Sequence, residues 1–147
     1  MNKKQVFLIL IVGLLSCDKF KTHEKIEDTN FENSYKISSN LDKDQNLLIL
    51  NIKLKKNFHA YARGEKIGKP VSLEIIRVNG YSAEGEALIP VGTIKKMASS
   101  AQSHVIEGDF EIKQRMKMGS GIGKAILRMQ ICTASLCDRP RTHEISF

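Results

Sequence analysis

Alternation of apolar and polar residues with a period of two is the clearest pattern along the chain. The segment 46–55 is its strongest example, and one of its faces carries four aliphatic side chains, Leu48, Leu50, Ile52 and Leu54. Successive side chains of a β-strand point to opposite faces of the sheet. The segment therefore predicts a strand with one buried face and one mostly wet face.

Weaker alternation predicts further strands in 57–62, 71–75, 105–114, 124–132 and 142–147. The stretch 80–86 is rich in glycine and glutamate and predicts an irregular loop. The glycine cluster at 119–123 predicts a hairpin turn, because it lacks the lysine and the strand-to-helix context of a phosphate-binding loop. Short strands, turn signals and almost no helical pattern favour an all-β fold, an immunoglobulin-like antiparallel β-sandwich.

The N-terminus has a different pattern. Lys3 and Lys4 precede an unbroken apolar run over 6–15, which is followed by the small residue Ser16 and then Cys17. This order is typical of a cleaved secretory signal peptide. The run is about half the length that a helix needs to cross a bilayer, so a permanent membrane span is not expected.

The tetrapeptide Leu14-Leu15-Ser16-Cys17 resembles the lipobox of bacterial lipoproteins. The resemblance implies that residues 1–16 are removed and that Cys17 becomes the lipidated first residue of the mature protein. Residues 17–34 are mostly polar and of mixed charge, and they predict a flexible tether. The remainder, 35–147, has the length of one domain with its own core.

The net charge is modest once the signal peptide is set aside. The chain carries 23 basic and 16 acidic residues, and removal of Lys3 and Lys4 leaves 21 basic residues and a net charge of +5. The excess is spread thinly and is not interleaved with aromatic residues, which argues against a nucleic-acid partner. His23, His104 and His143 show no ligand spacing with each other or with the cysteines, so a metal site is not expected, and no other cofactor is predicted.

Cys132 and Cys137 carry the candidate chemistry. Four intervening residues suffice for a tight turn, and an exported chain meets an oxidising compartment, so a disulfide between them is expected. Closing so short a loop stabilises a fold by only about 2 kcal/mol, less than a long-range bridge would. The residues alone leave two alternatives open, a structural hairpin bond and an exchange-active pair.

The phase of the strand predicted over 124–132 bears on the reactivity of the first cysteine. By this phase, Cys132 lies on the wetter face, opposite to Leu127 and Met129. Arg128, Arg139 and Arg141 are near it in sequence and favour a thiolate electrostatically. This reasoning predicts that Cys132 is the sulfur that other thiols reach.

The segment Gln130-Ile131-Cys132-Thr133-Ala134-Ser135-Leu136-Cys137-Asp138-Arg139-Pro140 resembles the cysteine hairpin of the periplasmic N-terminal domain of the thiol-disulfide interchange protein DsbD. Phe58-His59-Ala60-Tyr61-Ala62, and Gly68-Lys69-Pro70 leading into Val71, are similar to that family's aromatic strand and the strand after it. The resemblance covers 36–147 and implies an immunoglobulin-like fold. It also implies a cysteine pair that accepts electrons from a membrane-embedded domain and passes them to other periplasmic thiol proteins.

By the same resemblance, Cys132 and Cys137 are the redox pair, Tyr61 lines the site, and His59 stands where a second tyrosine is often found. The loop 81–86 corresponds in order to a loop that shields the disulfide. Met129 and the pair Asp138-Arg139 depart from the family pattern. The chain has no equivalent of the family's membrane-spanning and thioredoxin-like domains, so we expect separate thiol-disulfide partners.

These observations favour a thiol-disulfide exchange domain, held by its lipid at a membrane on the periplasmic side of the cell envelope. They leave the question of enzymatic activity open. The rival interpretation is a non-enzymatic envelope or surface binding lipoprotein whose hairpin disulfide is structural. A third is a chaperone-like or assembly module that binds partners at a sheet edge.

Overall fold

The computed structural model describes residues 30–97 and 101–147. Apart from one 3₁₀ turn, Phe31–Asn33, the regular structure in this part of the chain is β. The strands are β1 (Tyr35–Asp42), β2 (Leu47–Leu54), β3 (His59–Tyr61), β4 (Ser72–Ile76), β5 (Ser82–Ala83), β6 (Thr93–Lys96), β7 (Gln102–Glu107), β8 (Phe110–Lys117), β9 (Lys124–Met129), β10 (Ile131–Cys132) and β11 (Arg141–Ser146).

The strands form three antiparallel sheets. The first has the order β1-β2-β8-β5, the second β10-β3-β7-β6 and the third β11-β9-β4. One apolar cluster takes side chains from all three sheets, among them Leu50 of β2, Ile106 of β7 and Leu127 of β9. The predicted all-β antiparallel sandwich is confirmed.

The strand predicted over 46–55 is observed as β2, with the expected alternation. Its even-numbered residues Leu48, Leu50, Ile52 and Leu54 are buried, and Lys53 is exposed. β2 pairs with β1 on one side and with β8 on the other. The predicted strands over 57–62, 71–75 and 142–147 are also observed, as β3, β4 and β11.

The single strand predicted over 105–114 is wrong. The chain bends at Gly108, whose φ is 70°, and separates β7 in the second sheet from β8 in the first. Val105 and Ile106 are both buried. The Ile106 side chain faces the main apolar cluster, and the Val105 side chain lies in a separate small cluster. Ile106, Phe110 and Ile112 face the same apolar cluster, so the apolar positions keep their phase across the polar turn 107–109, and the prediction joined the two strands.

The strand predicted over 124–132 is divided as well. β9 ends at Met129, and β10 pairs with β3 in the second sheet, so the chain changes sheets at Gln130. The Gln130 side chain holds this corner, because its Nε2 donates to the carbonyl of Asp138 at 2.9 Å and its Oε1 accepts from the N–H of Lys69 at 2.9 Å. The division resets the strand phase just before the first cysteine of the pair.

The segments predicted as a hairpin turn and as an irregular loop differ from the prediction in the strands that they connect or contain. The glycine cluster at 119–123 connects β8 to β9, but these strands belong to different sheets, so it is not a hairpin turn. A Cβ at Gly119 would lie 2.2 Å from the carbonyl oxygen of Asn79, which requires glycine there. The predicted loop 80–86 contains the short strand β5, which pairs with β8.

The last residues of the predicted tether belong to the folded domain. Phe31 packs edge-on against Phe58, with ring centroids 5.8 Å apart, and Ser34 is fully buried with its hydroxyl donating to the Phe31 carbonyl at 2.7 Å. The predicted signal peptide, the lipidation residue Cys17 and the tether up to residue 29 lie outside the described residues. Within 30–97 and 101–147, no helix has the length and apolarity to cross a membrane.

Candidate disulfide site

Cys132 and Cys137 form a disulfide that closes a tight turn, as expected. Their Cα atoms are 4.0 Å apart. Thr133, which is almost fully buried, organises the turn, since its N–H donates to the Leu136 carbonyl at 2.7 Å and its hydroxyl oxygen accepts from the Leu136 N–H at 3.1 Å. The N–H of Asp138 then donates to the Ile131 carbonyl at 2.9 Å. The bond is therefore held in a short loop with its own hydrogen bonds.

The two sulfur-bearing residues differ in exposure, and the difference is the reverse of the prediction. Cys132 is fully buried, whereas Cys137 is exposed. The prediction that Cys132 lies on the wetter face is wrong because it assumed a continuous strand from 124 to 132. The change of sheet at Gln130 leaves both Ile131 and Cys132 buried, on opposite faces of β10.

The cysteines lie at the end of a row of residues that runs across the second sheet. Cys132 pairs with Cys137 on one side and with His59 of β3 on the other, and His59 in turn pairs with Glu107 of β7. Residues directly opposite each other in antiparallel strands project to the same face. The disulfide therefore shares a face with His59, and the neighbouring residues Ala60 and Ile131 face the apolar cluster on the other side.

Tyr61 covers the disulfide on this outer face. Its phenolic oxygen lies 3.4 Å from the sulfur of Cys137, and it forms a small buried cluster with Val105 and Cys132. Its ring stands edge-on to that of His59, with centroids 5.8 Å apart and an interplanar angle of 72°. Burial, followed by the charge of Glu65, raises the pKa of Tyr61. The hydroxyl is therefore neutral and available as a donor.

The loop between β3 and β4 closes over the Tyr61 ring. A Cβ at Gly68 would lie only 1.9 Å from the ring carbon Cε2 of Tyr61, so the backbone of the loop packs directly on the aromatic face. Glu65 fixes the loop, because its carboxylate accepts from the N–H groups of Ile67 at 2.8 Å and His104 at 2.7 Å. Burial alone would raise the pKa of Glu65, but the backbone donors outweigh it and hold that pKa below its usual value.

His59 is the second aromatic residue predicted to line the site. It is 5% exposed, and its Nε2 is buried without a hydrogen-bond partner among the residues that the structure describes. The pKa of His59 is lowered, mainly by burial. The charges of Glu107 and Glu65 raise it and that of Lys95 lowers it, each by a smaller amount. The imidazole is therefore neutral at neutral pH.

The three arginines predicted to favour a thiolate at Cys132 have other partners or lie in solvent. Arg128 lies in the third sheet and donates to Glu74 at 2.9 Å. Arg141 forms a short ion pair with Asp138, directly after the second cysteine. Arg139 is exposed on the same loop, and its N–H donates to Asp138. Two of the three cations are thus neutralised by carboxylates, and the third lies in solvent.

The loop 81–86, predicted to shield the disulfide, has contacts with several other segments. The Tyr81 hydroxyl donates to the Gly121 carbonyl at 3.3 Å and its ring packs on Phe147, while Ala83 pairs with Met116. These contacts hold the first half of the loop at the end of β8, while Glu86 forms an ion pair with Arg63 at 3.0 Å, and the shielding role of the loop stays a prediction. The shielding segment that the structure provides is the one around Gly68, and its only sequence signal was the Gly-Lys-Pro turn before β4.

Together the fold and the site define an immunoglobulin-like sandwich with a hairpin disulfide on the outer face of one sheet. Two solved structures share this fold. The N-terminal domain of DsbD from Neisseria meningitidis, in the reduced form, superimposes with a TM-score of 0.60 at 12% identity, over 79% of this chain and 86% of that one. The N-terminal periplasmic domain of ScsB from Proteus mirabilis gives 0.58 at 12% identity, over 78% of this chain and 46% of that one.

The chain thus has the fold of the DsbD N-terminal domain, as the resemblance of the cysteine hairpin implied. It spans less than half of the ScsB structure. No protein-family profile matches the sequence, and no curated protein matches it.

Proposed function

We propose that this chain is a lipid-anchored thiol-disulfide exchange domain of the cell envelope, which relays electrons through Cys132 and Cys137 to or from other envelope thiol proteins. The observation that carries the proposal is the asymmetry of the disulfide. Cys137 is exposed in a surface loop, and Cys132 is buried behind it with Tyr61 and Val105. A disulfide with one half in an exposed residue and the other half enclosed suits attack by a partner thiolate at Cys137, which leaves Cys132 enclosed by the domain.

The exchange consists of two displacements. A partner thiolate attacks Cys137, so a bond forms between the partner sulfur and Cys137 while the bond to Cys132 breaks, and Cys132 takes the electron pair as a thiolate. The partner's second thiolate then attacks its own first sulfur and releases Cys137. The partner dithiol is oxidised to a disulfide, the Cys132–Cys137 pair is reduced by two electrons, and the thiolates take up protons from solution.

The surroundings of Cys137 suit a protein partner. Leu136, directly before it, is 48% exposed, and Ile67, directly before Gly68 in the covering loop, is 70% exposed. Exposed apolar side chains next to Cys137 and on the loop that covers Tyr61 provide area that a partner buries on docking. The partners we infer are thioredoxin-like or membrane-embedded thiol-disulfide proteins, the kinds that the family resemblance implies.

The proposed location rests on the N-terminal sequence. The charged, apolar and small-residue order of residues 1–16, followed by Cys17, supports export and lipid attachment. A lipid anchor would hold the domain at the membrane on the periplasmic side, where membrane-embedded partners are found.

Reduction of the purified full-length chain by reduced thioredoxin tests the proposal. The Cys132–Cys137 bond should open, detected by alkylation of both thiols, and its reduction potential should lie above about −300 mV, the region below which structural bonds fall. A variant with Cys132→Ser and Cys137→Ser supplies the alkylation baseline. A bond that resists thioredoxin and has a lower potential would instead support a binding lipoprotein with a structural disulfide.

A further inference from the structure

The buried ring nitrogen of His59 is the feature of the site that the exchange chemistry above does not use. Its Nε2 is enclosed and has no hydrogen-bond partner within the described parts of the chain. A buried polar atom left without a partner destabilises the fold, because it has lost its hydrogen bonds to water. Such an atom in a folded protein calls for an explanation. One explanation is that a neighbouring group becomes able to form a hydrogen bond with it in another state of the site.

The sheet register identifies the neighbours of His59. On one side it pairs with Glu107 and on the other with Cys132, all on the same face. Glu107 is already engaged, since its carboxylate forms an ion pair with Lys95 at 2.5 Å. Cys132, by contrast, changes its chemistry when the disulfide opens, because a bridged sulfur carries neither a proton nor a charge.

We propose that His59 Nε2 forms a hydrogen bond to the sulfur of Cys132 when the disulfide opens, and so stabilises the buried thiolate that leaves. This inference rests on the proposed exchange function and adds a group to the same site. When the partner sulfur bonds to Cys137, the electron pair of the broken bond stays on Cys132, which has no exposure to water. A buried thiolate is costly without a donor, and an Nε2–H group on the facing strand supplies one.

The charged groups around His59 determine what it can supply. Glu107 of β7, Lys95 of β6 and Glu65 of the covering loop act on it, while Tyr61 packs against its ring edge-on. Because burial favours the neutral imidazole, the ring meets the thiolate as an N–H donor and not as a cation. The tautomer with hydrogen on Nε2 is the one that the reduced state selects.

Two measurements test the inference. Nitrogen-15 NMR of the His59 ring should report a change of environment at Nε2 when the wild-type chain is reduced chemically with dithiothreitol. In a Cys137→Ser background, the thiol pKa of Cys132 should rise by about one unit in His59→Phe, and His59→Gln, which keeps an amide N–H donor, should restore part of the shift. His143→Gln is the control, since His143 is half-buried in β11 and its Nε2 has Tyr35 as partner.

The outcomes separate this inference from the proposed function. An unchanged His59 resonance on reduction, with the same Cys132 pKa in the folded His59 variants, would overturn it even if thioredoxin reduces the disulfide. Failure of thioredoxin to reduce the disulfide would count against the exchange function, but the dithiothreitol and pKa measurements would still decide the role of His59. If His59→Phe does not fold, the wild-type resonance and His59→Gln decide.

Discussion

The phenolic oxygen of Tyr61 lies 3.4 Å from the sulfur of Cys137, the exposed half of the disulfide. A bridged sulfur carries no hydrogen, so the hydroxyl is the donor. The ring that presents it is fixed on one side by His59, at a centroid distance of 5.8 Å, and on the other by the backbone at Gly68. We infer that this hydroxyl also donates a hydrogen bond to the Cys137 thiolate in the steps where that sulfur is released.

Tyr61→Phe removes the donor and keeps the ring. Loss of a hydrogen bond worth about 1 kcal/mol in the transition state lowers a rate constant about fivefold. We therefore expect thiol-disulfide exchange at Cys137 to slow by about that factor. Stopped-flow reduction by thioredoxin measures the rate. Tyr35→Phe is the matched control, because its hydroxyl partners His143 in another part of the sandwich. Equal rates in all three proteins would remove Tyr61 from the chemistry.

Gly68→Ala should disturb the site through the covering loop. The added Cβ would meet the Tyr61 ring at 1.9 Å, so the ring or the loop must move, at a cost of about 1–3 kcal/mol. Gly85→Ala is the comparison, since its φ is 73° and nothing lies within 4 Å of the new Cβ, which leaves only a backbone penalty of about 1 kcal/mol. Urea unfolding gives both costs. Only Gly68→Ala should also change the rate of thiol-disulfide exchange. If both variants changed this rate, the effect would come from a general loss of stability and not from the covering loop.

Removal of the disulfide should leave the domain folded. The bond closes a six-residue loop, so Cys132→Ser with Cys137→Ser should lower the free energy of unfolding by only about 2 kcal/mol. The main apolar cluster does not include either cysteine, and Cys132 belongs to the small outer one. Thermal unfolding followed by circular dichroism tests this. Loss of a cooperative transition in the double variant would assign the bond a structural role.

β2, the strand that the sequence predicted most clearly, has one buried apolar face. β1 went unrecognised because its central residues, from Ser38 to Asn40, are polar and exposed in the sheet. The bends at Gly108 and Gln130 were missed for a different reason. At both, the apolar positions on the two sides keep the same alternation, and alternation within a window cannot register a change of partner strand.

The site followed from the sequence only in part. Spacing and compartment predicted the bond between Cys132 and Cys137, and strand periodicity placed His59 beside Tyr61. The exposed cysteine was assigned wrongly because strand phase was carried across Gln130. The covering loop depends on contacts that strand alternation does not encode, from Gly68 to the Tyr61 ring and from Glu65 to the distant His104.

Cys17→Ala tests the predicted lipid anchor, which lies outside the described residues. Acyl chains contribute about 0.8 kcal/mol per buried methylene, so their loss should move the protein from the membrane fraction to the soluble fraction. The folded domain should be unaffected. Fractionation of envelopes after a salt wash, with immunoblotting, gives the distribution. Ser16→Ala, which keeps a small residue before the cysteine, is the control. A Cys17→Ala protein that stays membrane-bound after signal cleavage would contradict the lipoprotein interpretation.

The burial of the two cysteines predicts which single variant traps partners. A mixed disulfide persists when the cysteine that would resolve it is absent. Strand phase alone predicted that Cys132 is attacked, and hence that Cys137→Ser is the trap. The structure reverses this expectation, because Cys137 is exposed and Cys132 is fully enclosed.

We therefore expect Cys132→Ser, which keeps the accessible Cys137, to accumulate mixed disulfides, and Cys137→Ser to form few. The measurement is a non-reducing gel of acid-quenched envelope extracts from wild type, both single variants and the double variant. The expected bands are strongest in Cys132→Ser, vanish on treatment with reductant and are absent from the double variant. Stronger trapping by Cys137→Ser would mean that the loop opens to expose Cys132 before exchange. Trapping by neither variant, with a disulfide that thioredoxin cannot reduce, would leave a binding lipoprotein as the better account of this chain.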